Sequence, residues 1–196
     1  MDLSYNTMRF GKKGHKITVY HLRKPVRKGL AGMVTGNIFP EKIALVVDPR
    51  PRSEFEYSYM CISHNRGIPF DSVWMEAEAF YGIKRGDKMA RTALFHELGH
   101  YYLQHLKGSE EVINAYNLAR SEAVDEGKVI QDELDADQFA VDYLGKEYVA
   151  EGLRKLNLRI NNLIQSGVYE EETGKAAMKE ISLRIASLDR SAKKRM

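Results

Sequence analysis

Cysteine is nearly absent from this sequence: Cys61 is the single one in 196 residues, so no disulfide can close within the chain. Long apolar runs are missing too. The best candidate, IALVVD from Ile43 to Asp48, has the length of a strand and falls far short of the ~18 apolar residues of a membrane span. That argues against insertion into a membrane. The first thirty residues carry charged and polar side chains throughout, with no apolar core of a secretory signal. These absences predict a cytoplasmic protein. Its length suits one domain with a sizeable core.

Charge of one sign is lacking as well, with 30 Lys and Arg against 27 Asp and Glu. The distribution is uneven. Basic residues are in excess over positions 1 to 60, and positions 109 to 150 are acidic. Solvated faces are the simpler explanation, with a charged partner surface as the other. There is no internal repeat, and the biased tail SAKKRM reads as a frayed end.

Alternation of apolar and polar residues predicts strands at HKITVYHL from His15, at KIALVVD from Lys42 and, most clearly, at EFEYSYMCIS from Glu54. VWMEAEAFYG from Val73 reads as a short helix. A longer helix follows between an N-cap at Asp87 and a C-cap at Gly108. Further helices are expected at 110–125, 129–144, 153–164 and 176–188. Strands first and helices later, without alternation, predict an α+β fold: a small, mainly antiparallel N-terminal sheet packed on the long helix, then a helical C-terminal half. The expected division is a domain over 1–145 and a helical extension over 146–196, packed on the same domain.

The long helix contains ALFHELGHYYLQH, residues 93 to 105. Residues i and i+4 share a helix face, so His96 and His100 can direct two imidazoles at one point. Neutral imidazole suits Zn²⁺, and Glu97 beside the first ligand has the chemistry of a base for a water at the metal. No proline interrupts the helix. Gly99 costs roughly 1 kcal/mol relative to alanine in a helix interior, and a close approach of another backbone would account for it. The bland alternative is an amphipathic helix with satisfied histidines.

A catalytic zinc site needs a third protein ligand. QDELDADQFAVDYLG from Gln131 offers Glu133, with Ala136, Asp137 and Ala140 on the same helical face. Small alanines there would let this helix pack close to the first. Glu110, Glu111, Glu122 and Glu126 are other carboxylates in the same acidic region.

HELGH followed by E-x-x-A-D-x-F-A, present as Glu133, Ala136, Asp137, Phe139 and Ala140, resembles the gluzincin metallopeptidases, including the ImmA/IrrE-like proteins. The resemblance covers roughly Met89 to Leu144. It implies a zincin-like fold, one Zn²⁺ held by His96, His100 and Glu133, and Glu97 as general base. It further implies that Asp137 hydrogen-bonds one of the ligating histidines, either His96 or His100. ImmA-like chains often carry a histidine soon after the second ligand; His105 is near that position without clearly matching it, is left unassigned, and reads as an exposed helix histidine. An electrophile for the developing oxyanion is also required; Tyr143, Tyr148 and Tyr169 are downstream candidates that ordinary packing would equally explain.

The leading expectation is therefore a zinc metallopeptidase acting on an intracellular protein or peptide. A non-catalytic regulatory or interaction protein on a zincin fold is the alternative. Retention of Glu97 argues against it, because a structural site has no use for that base. A nucleic-acid-binding reading, motivated by RKPVRKG from Arg23, lacks a helix-turn-helix or interleaved aromatic and basic residues.

Overall fold

The structure is a computed structural model that describes residues 3–10, 15–22, 32–36, 43–48, 60–63, 72–105 and 110–193, with side chains over 60–61, 73–105 and 111–190. Two compact units divide at Ala90 and Arg91. The first contains a sheet of six strands, β1 (Leu3–Phe10), β2 (His15–Leu22), β3 (Gly32–Gly36), β4 (Ile43–Asp48), β5 (Met60–Ser63) and β6 (Ser72–Glu76), followed by helix α1 (Ala77–Arg85). The strand order is β1-β2-β3-β4-β6-β5. Only β4 and β6 run parallel among these pairings; the others are antiparallel. An α+β chain with a mainly antiparallel N-terminal sheet is what the order of the sequence patterns predicts.

Val73, Trp74 and Met75 form strand β6, which corrects the expectation of a helix beginning at Val73. β6 lies between β4 and β5, with Trp74 opposite both Val46 and Cys61. Val73 and Met75 are completely buried and Trp74 nearly so. A strand covered on both faces carries a continuous apolar run, and such a run does not show the alternation by which half-buried strands are recognised. Strands β1 and β3 were not anticipated. Within the predicted EFEYSYMCIS strand, Met60 to Ser63 form β5, and residues 54–59 lie outside the described residues.

Helix α1 packs on β6 and β4. It ends at Gly86, whose left-handed φ of 81° closes the helix. Helix α2 (Lys88–Leu103) begins one residue after Asp87. The Asp87 carboxylate accepts a hydrogen bond from the backbone N–H of Ala90 at 3.0 Å, the N-cap expected from the sequence, worth about 1 kcal/mol. The other end differs. The helix stops at Leu103, where Gln104 takes a left-handed φ of 59°. Backbone bonds from Gln104 to Tyr101 and from His105 to His100 complete a Schellman-type cap. Gly108, expected to cap this helix, lies outside the described residues.

The second unit continues with α3 (Glu110–Asp125), α4 (Gln131–Leu144), α5 (Lys146–Gln165) and α6 (Glu171–Lys193). α5 and α6 are longer than the apolar stripes predicted: α5 begins ahead of its stripe with the buried Val149 and Ala150, and α6 with a mostly exposed, polar first turn. Helices α4, α5 and α6 pack on one another, and α3 lies against α6. Gly145 joins α4 to α5 inside this unit. Leu153, Ile160, Ile181 and Leu188 are among the apolar side chains buried there. Each contributes about 1.5–3 kcal/mol of hydrophobic stabilisation. No described helix is long and apolar enough to cross a membrane. The basic RKPVRKG segment falls outside the described residues.

Candidate metal centre

Helix α2 is buried on several sides at once: Leu94, Phe95, His96, Leu98, Gly99 and His100 are all inaccessible or nearly so. Its two histidines are therefore held in the interior. α4 crosses it at close range. A Cβ placed on Gly99 would lie 2.8 Å from Ala136 Cα and 3.0 Å from Ala136 O. Only glycine allows this approach, and the small Ala136 and Ala140 line the buried face of α4 with Glu133 and Asp137.

The crossing brings three ligand side chains together. His96 Nε2 lies 3.1 Å from His100 Nε2 and 3.1 Å from Glu133 Oε2, and His100 Nε2 is 3.6 Å from Glu133 Oε1. Among the described residues these three form the group with the spacing to hold a metal ion. Tetrahedral zinc bonds of about 2.0–2.2 Å place neighbouring ligand atoms about 3.3–3.6 Å apart, close to the separations found. The donors also fit. Two imidazole lone pairs converging at 3.1 Å require a proton or a cation between them. Glu133 Oε2 is buried and accepts no hydrogen bond, although His96 Nε2 and Arg184 Nη1, at 3.1 and 3.3 Å, are nearby. Such an orphaned carboxylate oxygen carries a desolvation cost that a bound cation would offset.

Asp137 Oδ1 lies 2.9 Å from His96 Nδ1, so of the two histidines left open by the sequence, His96 is its partner. A proton on Nδ1 leaves Nε2 with a lone pair for metal. Asp137 is itself held by Arg184 of α6, whose Nε and Nη2 reach Oδ2 and Oδ1 at 2.8 and 2.5 Å. Arg184 Nη2 is also 2.9 Å from His96 Nδ1. Both are donors when Nδ1 is protonated, so this contact is a shared approach to Asp137 and not a bond of its own.

His100 has a different support. Its Nδ1 lies 3.1 Å from His105 Nδ1, and His105 Nε2 is 3.8 Å from Asp132 Oδ1. With His100 Nε2 given to a metal, Nδ1 carries the proton and donates it to His105. The left-handed Gln104 turns the chain back to make this contact, so His105 is mostly buried instead of exposed as its sequence position suggested.

Helix α3 supplies two more groups. Tyr116 donates from its hydroxyl to Glu133 Oε1 at 2.7 Å. Arg120, one turn on, forms a two-pronged pair with Glu180 of α6 at 2.7 and 2.8 Å, and its Nε is 3.5 Å from Glu133 Oε1. Neither residue was singled out from the sequence. Tyr143 instead packs its ring against Phe95 and Phe139. Among the other acidic candidates, Glu111 and Glu122 are exposed, and Glu126 pairs with Lys128 at the surface.

The electrostatics follow from burial opposed by partners. Burial alone would raise the Glu133 carboxyl, but Arg120, His96 and Arg184 hold it well below the usual range. Burial and Arg184 push the His96 imidazole down, and the carboxylates of Asp137 and Glu133 outweigh them, raising its pKa to about 9. His100 goes the other way, lowered to about 3 by burial and by the charge on His96. At neutral pH without metal, the histidine pair thus holds one extra proton, and the carboxylates around His96 draw it towards that ring. Burial raises the Asp137 carboxyl, but Arg184 and His96 outweigh it and leave it below its ordinary value. Tyr116 is raised by burial and by Glu133, so it stays a donor.

Glu97 stands next to His96 on α2 and is half-buried, with part of its surface open to water. Compared with known proteins, the chain matches no family model, no curated protein and no solved structure.

Proposed function

We propose that this protein is a zinc-dependent metallopeptidase of the gluzincin type. The carrying observation is the convergence of His96 Nε2, His100 Nε2 and the buried Glu133 carboxylate, whose ligand atoms lie within 4.8 Å of one another. A mainly antiparallel sheet, then a helix with both histidines and a later helix with the carboxylate, also supports a zincin-like fold. Zinc held by these residues would polarise a peptide carbonyl and lower the pKa of water to about 7.

Glu97 is placed one residue from the first ligand, with access to solvent. Its carboxylate takes the proton of the attacking water and returns it to the departing amine nitrogen. Asp137 and Arg184 fix the tautomer and plane of His96, and His105 does the same for His100. The substrate of this proposal is a protein or peptide. A non-catalytic role would make Glu97 dispensable.

The test is Glu97→Gln, assayed with zinc-loaded protein on an unstructured protein such as casein and on a mixed peptide library. Hydrolysis is expected to fall by about 10²–10⁴-fold, the range for loss of a general base, with zinc content unchanged. Cleavage at the wild-type rate in the variant would refute the assignment.

A further inference from the structure

The two oxygens of the Glu133 carboxylate have unequal surroundings. Oε1 accepts the Tyr116 hydroxyl at 2.7 Å and has Arg120 Nε at 3.5 Å. Oε2 accepts no hydrogen bond and lies 3.1 Å from His96 Nε2. Oε1 thus carries a hydroxyl hydrogen bond from α3 while lying 3.6 Å from His100 Nε2, and Oε2, beside His96 Nε2 and 3.3 Å from Arg184 Nη1, carries none.

This asymmetry is built by a single helix face. Tyr116 and Arg120 are one turn apart, and Ala123 and Val124 continue the same packed stripe, while most of the remaining α3 surface is exposed. Arg120 is anchored independently, because both arms of its fork are used on Glu180. The anchor fixes the rotation of α3 about its axis and with it the direction of the Tyr116 ring, whose edge meets His100 at a centroid separation of 6.1 Å.

A carboxylate can ligate zinc through one oxygen or two, and the second oxygen takes a place that a catalytic site reserves for water. We propose that Tyr116, set by Arg120, is a positioning residue that restricts Glu133 to one-oxygen ligation through Oε2 and so keeps a place free for the reacting water. The proposal rests on the zinc-site reading above. It gives α3 a definite task, since a helix with little buried apolar surface is held here by polar contacts to the site. It also separates Tyr116 from a merely structural tyrosine, whose loss would alter stability but not the ligand set of the metal.

The experiment uses the metal alone, in full-length protein. Wild type and Tyr116→Phe are loaded with Co²⁺ for visible spectroscopy and with Zn²⁺ for X-ray absorption. Wild type is expected to give the intense bands of a four-coordinate ion. In Tyr116→Phe these bands should weaken several-fold as the coordination number rises, and the zinc edge should report two carboxylate oxygens in place of one. Tyr116→Met, which also lacks a donor, should behave alike and serves if the phenylalanine variant does not fold. Spectra identical to wild type in a folded variant would overturn the role of Tyr116 and leave the zinc site standing. Failure of the wild type to bind either metal would overturn both.

Discussion

Gly99 of α2 and Ala136 of α4 lie so close that a Cβ on the glycine would meet Ala136 Cα at 2.8 Å and its Cβ at 3.2 Å. The neighbour is backbone, which cannot rotate away. Glu133 sits one turn before Ala136 on the same buried face. The distance between the two helices therefore sets the distance between the third ligand and both imidazoles.

Gly99→Ala tests this coupling. Alanine has the better helix propensity by about 1 kcal/mol, so an isolated α2 would gain. In the protein the clash should force α4 outward, costing about 1–3 kcal/mol as overpacking does and weakening zinc binding. Denaturant unfolding and chelator competition measure the two effects. A variant that is more stable and binds zinc as tightly as wild type would contradict the close crossing.

Metal-free stability should depend on pH through the histidine pair. His96 is raised to about 9, so its contribution is complete below 6.5, the unfolded value, and is lost as pH rises through 9. His100 is lowered to about 3, so its contribution is present above 6.5 and is lost as pH falls towards 3. The contribution of the pair is therefore greatest near 6.5. Zinc must displace the His96 proton, and calorimetry at neutral pH in buffers of different ionisation enthalpy should record about one proton released per metal ion. Binding without proton release would contradict the assigned protonation.

Arg184 is 5% exposed and reaches Asp137 through Nε and Nη2, with Nη1 beside Glu133. Arg184→Met should remove the guanidinium from the buried Asp137 and leave His96 as its remaining partner, at a cost of about 3–5 kcal/mol. It should also release His96 from its fixed orientation, weakening zinc binding by about 10–100-fold. Thermal unfolding with and without zinc reads both. A loss of stability without any change in zinc affinity would mean that α6 supports the fold and not the metal centre.

The pairing of His96 and His100 was legible because a single helix fixes their spacing, whatever surrounds it. Glu133 and Asp137 were legible for the same reason, one turn apart among small residues on a second helix. The polar shell was not. Tyr116, Arg184 and Arg120 meet their partners across 17, 47 and 60 residues, and each lies in a helix whose charged pattern looks like an ordinary solvated face. His105 was misjudged because its burial depends on a left-handed Gln104, a conformation that sequence assigns first to glycine. In the fold, the order of strands before helices was readable, whereas β1, β3 and β6 were not; in β6, burial on both faces removes the alternation that marks a strand.

The central claim is that His96, His100 and Glu133 together hold one metal ion, and zinc per chain measured by elemental analysis tests it most directly. Wild type and Glu133→Ala, both purified without chelator and then exposed to zinc and desalted, are compared alongside circular dichroism to establish that each is folded. About one zinc per chain in wild type, with the metal lost or readily removed in the folded variant, is the predicted result. A folded wild type with no stoichiometric zinc would contradict the claim and return the histidine helix to a structural role.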